Sequence, residues 1–157
     1  MDLTSLPITN RATVKEEYLD LMRHMNVVWY MYLFDQATWP LFAMTGMDVQ
    51  YYEKNMAGNA ALEQHTRYLA ELQLGTPAIV RSRLLGRSAK LTHFMHFMVN
   101  EDSRVLAATT ELIGIHLDRV ERRSAPIPAA MIAQVDRIIA EHQALEWDAP
   151  VCGLMKP

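Results

Sequence analysis

The chain reads as an α+β domain in which an antiparallel β-sheet wraps around one long helix. Three observations predict this. Residues 26–45, NVVWYMYLFDQATWPLFAMT, are apolar on nearly every face, and a helix of that kind needs cover on all sides. From about residue 60 the chain turns to β-leaning segments joined by short polar turns, the connection that makes neighbouring strands antiparallel. A last apolar stretch returns to helical spacing. Wrapping the sheet about the helix is the economical way to bury both.

The elements follow in order. Residues 8–19, ITNRATVKEEYL, mix Thr and Val with charges and are read as a first strand. The helix comes next, with Gly46 suited to close it in the left-handed conformation and Pro40 expected to kink or break it. In ALEQHTRYLAEL, Leu62, Tyr68, Ala70 and Leu72 are assigned to one strand face, and Glu63, His65, Arg67 and Glu71 to the other. GTPAIVRSRLLG and KLTHFMHFMV read as two strands around the turn GRSA, and NEDS turns the chain into RVLAATTELIGIHLD. Met131, Ile132, Val135, Ile138, Ile139 and Leu145 share one helical face, so a C-terminal helix is expected over about 126–147. Residues 1–157 form one domain, with no repeat or linker.

Composition narrows the function. The net charge of -3 and pI near 6.0 give no general attraction to nucleic acid or to an anionic membrane, so a polyanionic ligand needs a local basic cluster. Cys152 is the only cysteine. It permits no internal disulfide and too few ligands for a cysteine-based zinc site, which fits a reducing cytoplasm. The start MDLTSLPITN lacks a signal-peptide layout, and the longest apolar run, VVWYMYLF, falls short of the ~20 residues of a membrane helix. A soluble cytoplasmic protein is expected.

The segment DLMRHMNVVWY, 20–30, resembles the D-x-x-G-H-M-N-x-x-x-Y signature of hotdog-fold acyl-CoA thioesterases of the 4-hydroxybenzoyl-CoA thioesterase type. FDQATW, 34–39, is similar to the helix sequence of a branch that includes thioesterases associated with carnitine and betaine breakdown. RYLAEL, RSRLLG, AATTELIGIHLD and APIP also match in kind, so the resemblance spans roughly residues 10–130. It implies a hotdog fold and hydrolysis of a small acyl-CoA, such as betainyl-CoA or a related short or aromatic acyl-CoA. It requires no metal or redox cofactor, coenzyme A being part of the substrate. It also implies sites shared within a homodimer or a dimer of dimers, which exposed sheet edges favour independently. The fold also carries enoyl-CoA hydratases and non-catalytic acyl-CoA binders. One residue departs from the signature: Arg23 stands where the family has glycine.

Thioester hydrolysis needs an oxyanion-stabilising group and a group that attacks or activates water. A helix N-terminus, with free N–H groups and a positive dipole end, suits the first task, and it falls near Asn26 and Val27. The resemblance places the family's oxyanion-binding amide around Val27 and its catalytic carboxylate at Asp20, which is otherwise a solvated loop acid or a cap. Asn26 serves as helix cap, substrate positioner or both. His24 is a general base or a turn-fixing residue. Glu63 and His65 share a strand face; in many hotdog enzymes such a residue of the neighbouring subunit completes the site, and a solvated face is the alternative. Asp35, inside the apolar helix, is expected to be buried and paired, tying helix to sheet, with a second catalytic carboxylate as the alternative. Trp29, Tyr30, Tyr32 and Trp39 pack the core or cage a quaternary ammonium acyl group. Arg23 is a further candidate for substrate contact. Arg81, Arg83, Arg87 and Lys90 cluster around a predicted hairpin turn and are candidates for the CoA phosphates.

Overall fold

The computed structural model describes residues 1–157. In chain order it contains β1 (Ile8–Thr13), a 3-10 turn (Glu16–Tyr18), α1 (Val27–Ala43), α2 (Val49–Lys54), β2 (Ala57–Tyr68), β3 (Pro77–Arg87), β4 (Leu91–Asn100), β5 (Leu106–Asp118), β6 (Arg123–Ser124) and α3 (Ala129–Gln143). All strands pair antiparallel in the order β1-β3-β4-β5-β2, with β6 on β5. The α+β sheet-and-helix arrangement is the one the sequence predicts.

The sheet has two covered faces. On the helix side, Tyr30, Leu33, Phe34 and Ala37 of α1 pack on Ala78, Val80, Met98 and Ala108. Farther along, Leu41 and Phe42 join Leu84, Phe94 and Leu112 with Val135, Ile138 and Ile139 of α3. On the outer side, Met95 and Phe97 meet Leu6 and the C-terminal tail at Leu145, Trp147 and Ala149. Covering both faces explains why KLTHFMHFMV shows no polar alternation: β4 is buried throughout its interior.

Several expectations change. The first strand ends at Thr13, because Val14–Leu19 bends through the 3-10 turn. Pro40 does not break α1, which runs to Ala43. The N–H that proline lacks would have reached the carbonyl of Gln36, and both residues lie on the exposed side, where water can serve that carbonyl. The helix closes as expected: Gly46 has φ +87° and Met47 N–H returns to Phe42 O at 3.1 Å. α1 is buried on one side only, since Val27, Val28, Met31, Tyr32 and Trp39 are exposed. The last helix ends at Gln143 rather than 147. The six-residue α2, capped by Asp48 Oδ1 accepting from Tyr51 N–H at 2.7 Å, was not anticipated.

Candidate active site

The loop between β1 and α1 folds back on itself. Leu19 and Met25 bridge antiparallel, Asp20 N–H donates to His24 O at 2.9 Å, and Arg23 N–H donates to Asp20 O at 3.0 Å. The loop is fastened below by Asn26 N–H to Tyr18 O and by Met25 N–H to Leu72 O, both 2.8 Å. This ladder sets Asp20 opposite His24, next to the segment that enters α1. The Asp20 carboxylate takes Met22 N–H (2.8 Å) and His24 N–H (3.3 Å) on Oδ1. Its Oδ2 accepts nothing from the chain. One oxygen is anchored and the other is unpaired.

At the helix start, Asn26 Oδ1 accepts from Val28 N–H at 3.0 Å and Asn26 O accepts from Trp29 N–H at 2.9 Å. The Val27 N–H donates to no atom of the chain. An unpaired amide at the positive end of a 17-residue helix is a donor able to serve an anionic oxygen. Asn26 is therefore the cap, with φ -64° and ψ 144°, and it leaves Val27 available.

Arg23 resolves the departure from the signature. It adopts φ +64°, the left-handed conformation that glycine takes without cost. Its guanidinium pairs with Glu16 through Nη1 and, at 3.3 Å, Nη2. The loop keeps the glycine shape on an arginine, held by an exposed ion pair. Arg23 thus has a structural partner of its own. His24 Nε2 lies 2.9 Å from Glu71 Oε2, so the Asp20–His24 side-chain pair that a hydratase would want is not formed.

Beyond the helix start lies a cavity of about 480 Å³ between α1 and strands β2, β4 and β5. Val28, Met31, Tyr32, Asp35, Trp39 and Phe42 line it at helical spacing, and Asn59, Gln64 and Gly114 form the opposite wall. Asp35 is exposed here and is its only charged residue. It is not a buried tether: its one side-chain hydrogen bond is a 3.4 Å contact from Gln36. The sequence hid this because α1 looked apolar all round, whereas the sheet covers only one side of it. Asp20 itself is not on the cavity wall.

The remaining candidates divide. Tyr32 and Trp39 line the cavity, but Trp29 stacks on Tyr18 at 4.1 Å and Tyr30 is buried with its hydroxyl toward Ala70 O. The basic cluster does not form a free patch. Arg83 is buried, donates to the carbonyls of His142 (2.8 Å) and Trp147 (3.0 Å), and lies over the Trp147 ring at 4.4 Å. Arg87 forms a two-pronged pair with Asp136 at 2.6 Å, Lys90 reaches Ser124 Oγ at 3.1 Å, and Arg81 holds the carbonyls of Thr4 and Leu6. Glu63 and His65 face the outer side of β2, away from this cavity, beside the C-terminal tail.

The fold is that of a hotdog-type domain, and the loop that carries Asp20 leads into a helix start whose Val27 amide is unpaired. The profile of the thioesterase-like superfamily matches residues 14–135, and the chain belongs to that family: it is a thioester hydrolase. The chain is 30% identical to a betainyl-CoA thioesterase of Pseudomonas aeruginosa over 137 residues, 87% of this chain and 86% of that protein. It superposes on a Staphylococcus aureus protein solved in complex with CoA (TM-score 0.82, 24% identity, 91% of this chain and 90% of that one). It also superposes on a Pseudomonas putida KT2440 protein described as a candidate thioesterase (TM-score 0.81, 24% identity, 98% of each chain). The last two similarities concern the fold.

Proposed function

We propose that the chain hydrolyses a small acyl-CoA, using Val27 N–H and Asp20 as its reacting groups. The thioester carbonyl oxygen binds the Val27 amide, which strengthens its hold as charge develops. Asp20 Oδ2 then follows one of two routes. It attacks the acyl carbon, forming an anhydride as the C–S bond breaks, and water later opens the anhydride. Alternatively it takes a proton from the water that attacks. Either route yields the free acid and CoA thiol, and neither needs a metal to complete it. The observation that carries this reading is the unpaired Val27 amide at a capped helix start.

The cavity favours a cationic acyl group, such as betainyl. Tyr32 and Trp39 line it, aromatic rings of the kind that attract a quaternary ammonium, and Asp35 supplies the counter-charge. Asp35 lies eight residues along α1 from Val27, roughly 12 Å at the rise of an α-helix. A betainyl ammonium, one methylene from its carbonyl, does not span that distance within one subunit. A second copy would close the gap. β2 is a long edge strand with Leu62 exposed, and the adjoining face of α1 is exposed and apolar. Two-fold pairing of the β2 edges would lay the α1 helices side by side in opposite directions, bringing Asp35 of each copy toward the helix start of the other.

The test is thiol release from a panel of acyl-CoAs, including betainyl-CoA and neutral chains of similar size. Asp20→Asn is expected to bind CoA esters yet release no thiol, and Asp35→Asn to lose selectivity for betainyl-CoA. Mixing the two variants should restore part of the activity through heterodimers. Thiol release by Asp20→Asn at the wild-type rate would overturn the mechanism. Preference for neutral chains over betainyl-CoA would overturn the substrate reading.

A further inference from the structure

We infer that the outer face of the sheet carries a divalent-metal site of the zinc class, formed by His65, Glu111 and Cys152 and separate from the Val27 site. The donor atoms of these side chains lie within 4.8 Å of one another. His65 and Glu111 are direct cross-strand partners on β2 and β5, and Cys152 arrives from the C-terminal tail. A tetrahedral zinc with one sulfur and two lighter ligands needs donor separations of roughly 3.3–3.8 Å. The widest separation therefore has to close by at most about 1.5 Å, an adjustment that an exposed His65 and a tail residue can make.

The roles of the donors point the same way. Glu111 is 1% exposed, and a buried carboxylate must be held. His93 Nε2 sits 2.8 Å from Oε1, and Cys152 N–H donates to Oε2 at 2.6 Å. Those contacts use one lone pair on each oxygen and leave another on each. His93 is then the outer partner that orients a ligating carboxylate, a recurrent feature of metal sites. By contrast, neither the His65 ring nor the Cys152 sulfur makes a hydrogen bond in the chain. Two of the best transition-metal ligands thus converge, otherwise unused, on an anchored carboxylate. Sulfur with imidazole and carboxylate favours zinc or cobalt over magnesium or calcium. The site opens into a hollow of about 410 Å³ lined by Arg67, Val151 and Leu154, which leaves room for water as the fourth ligand.

Binding would convert the Cys152 thiol to a thiolate–metal bond and release its proton to solvent. It would also pin the tail to β2 and β5. A lone cysteine offers no zinc site made of cysteines, but a mixed donor set assembled by the fold does.

The experiment uses the full chain, stripped with chelator and titrated calorimetrically with Zn²⁺, and separately with Co²⁺ read by absorbance. The expected result is one equivalent bound, a thiolate-to-cobalt charge-transfer band, and a thermal midpoint raised by Zn²⁺. Cys152→Ser should abolish the band. Cys152→Ser and His65→Ala, both at accessible positions, should each weaken Zn²⁺ binding by more than about 10²-fold, the upper range seen when only an outer partner is removed. Absence of stoichiometric binding in the wild-type chain would overturn the inference. Binding that survives both substitutions would overturn it equally.

Discussion

Acidification should destabilise the fold through its buried histidines, His96 foremost. His96 on β4 has no exposed surface and lies under α1 between Thr38 and Ser82, stacked on Phe34 and edge-on to Phe94. The hydrogen bonds are satisfied with the ring neutral: Ser82 Oγ donates to Nδ1 at 2.6 Å, Nε2–H donates to Thr38 Oγ1 at 3.0 Å, and Thr38 donates on to Phe34 O. Burial pushes its pKa down from 6.5 to about 3, and the groups facing it include no acid to hold a proton. The unfolded chain therefore binds a proton below 6.5 that the folded chain refuses. The stability that depends on a neutral His96 is complete above pH 6.5 and is lost as pH falls from there toward 3. Each pH unit in that window costs about 1.4 kcal/mol, so at about pH 5 the loss is about 2 kcal/mol. Urea unfolding at about pH 7.5 and about pH 5, at one protein concentration, measures it in wild type and in His96→Gln. His142, also pushed down chiefly by burial, acts in the same direction but is common to both proteins. The variant should lose about 2 kcal/mol less than wild type on acidification. An identical loss in both would refute the assignment of His96 as a buried neutral residue.

Two further outcomes follow from the loop and the tail. Arg23→Gly relieves the left-handed backbone but removes the pair with Glu16; since salt screens exposed pairs, the variant should unfold at higher urea than wild type in concentrated salt. A lower midpoint there would contradict it. Arg83→Leu strands the carbonyls of His142 and Trp147 and removes the contact with the Trp147 ring. Unfolding is expected to become easier by about 1–3 kcal/mol, with faster proteolysis of the segment beyond residue 143.

Much of this architecture could be read from residue patterns. α1, Gly46 and the turn at 100–103 announce themselves through local chemistry and formed where expected, whereas the hairpin turn read at 86–89 lies at 88–90, because Gly86 and Arg87 still pair with His93 and Thr92. Coverage of the helix was not legible. Periodicity says that α1 is apolar, not whether its own chain supplies every neighbour, and β2 with β5 leaves one flank of it open. For that reason Asp35 looked like a buried tether when it is the charged residue of a cavity. The arginines of β3 misled for a related cause: charge on a strand suggests solvent, yet Arg83 is consumed by a tail whose course no local signal records. Arg23 taught the reverse lesson, because an arginine can hold the glycine backbone shape when an acid seven residues earlier meets its head group. Convergence of His65, Glu111 and Cys152 was likewise invisible, depending on strand pairing and tail placement together.

The proposed hydrolysis rests on one backbone amide, Val27 N–H, to carry the developing negative charge. Val27→Pro deletes that N–H at the first position of a helix, where proline is favoured. Asn26, at ψ 144°, already has the extended backbone that a following proline demands. The variant should fold and bind CoA esters like wild type while kcat for thiol release drops by about 10²–10³. A folded Val27→Pro protein that turns over at the wild-type rate would contradict the account.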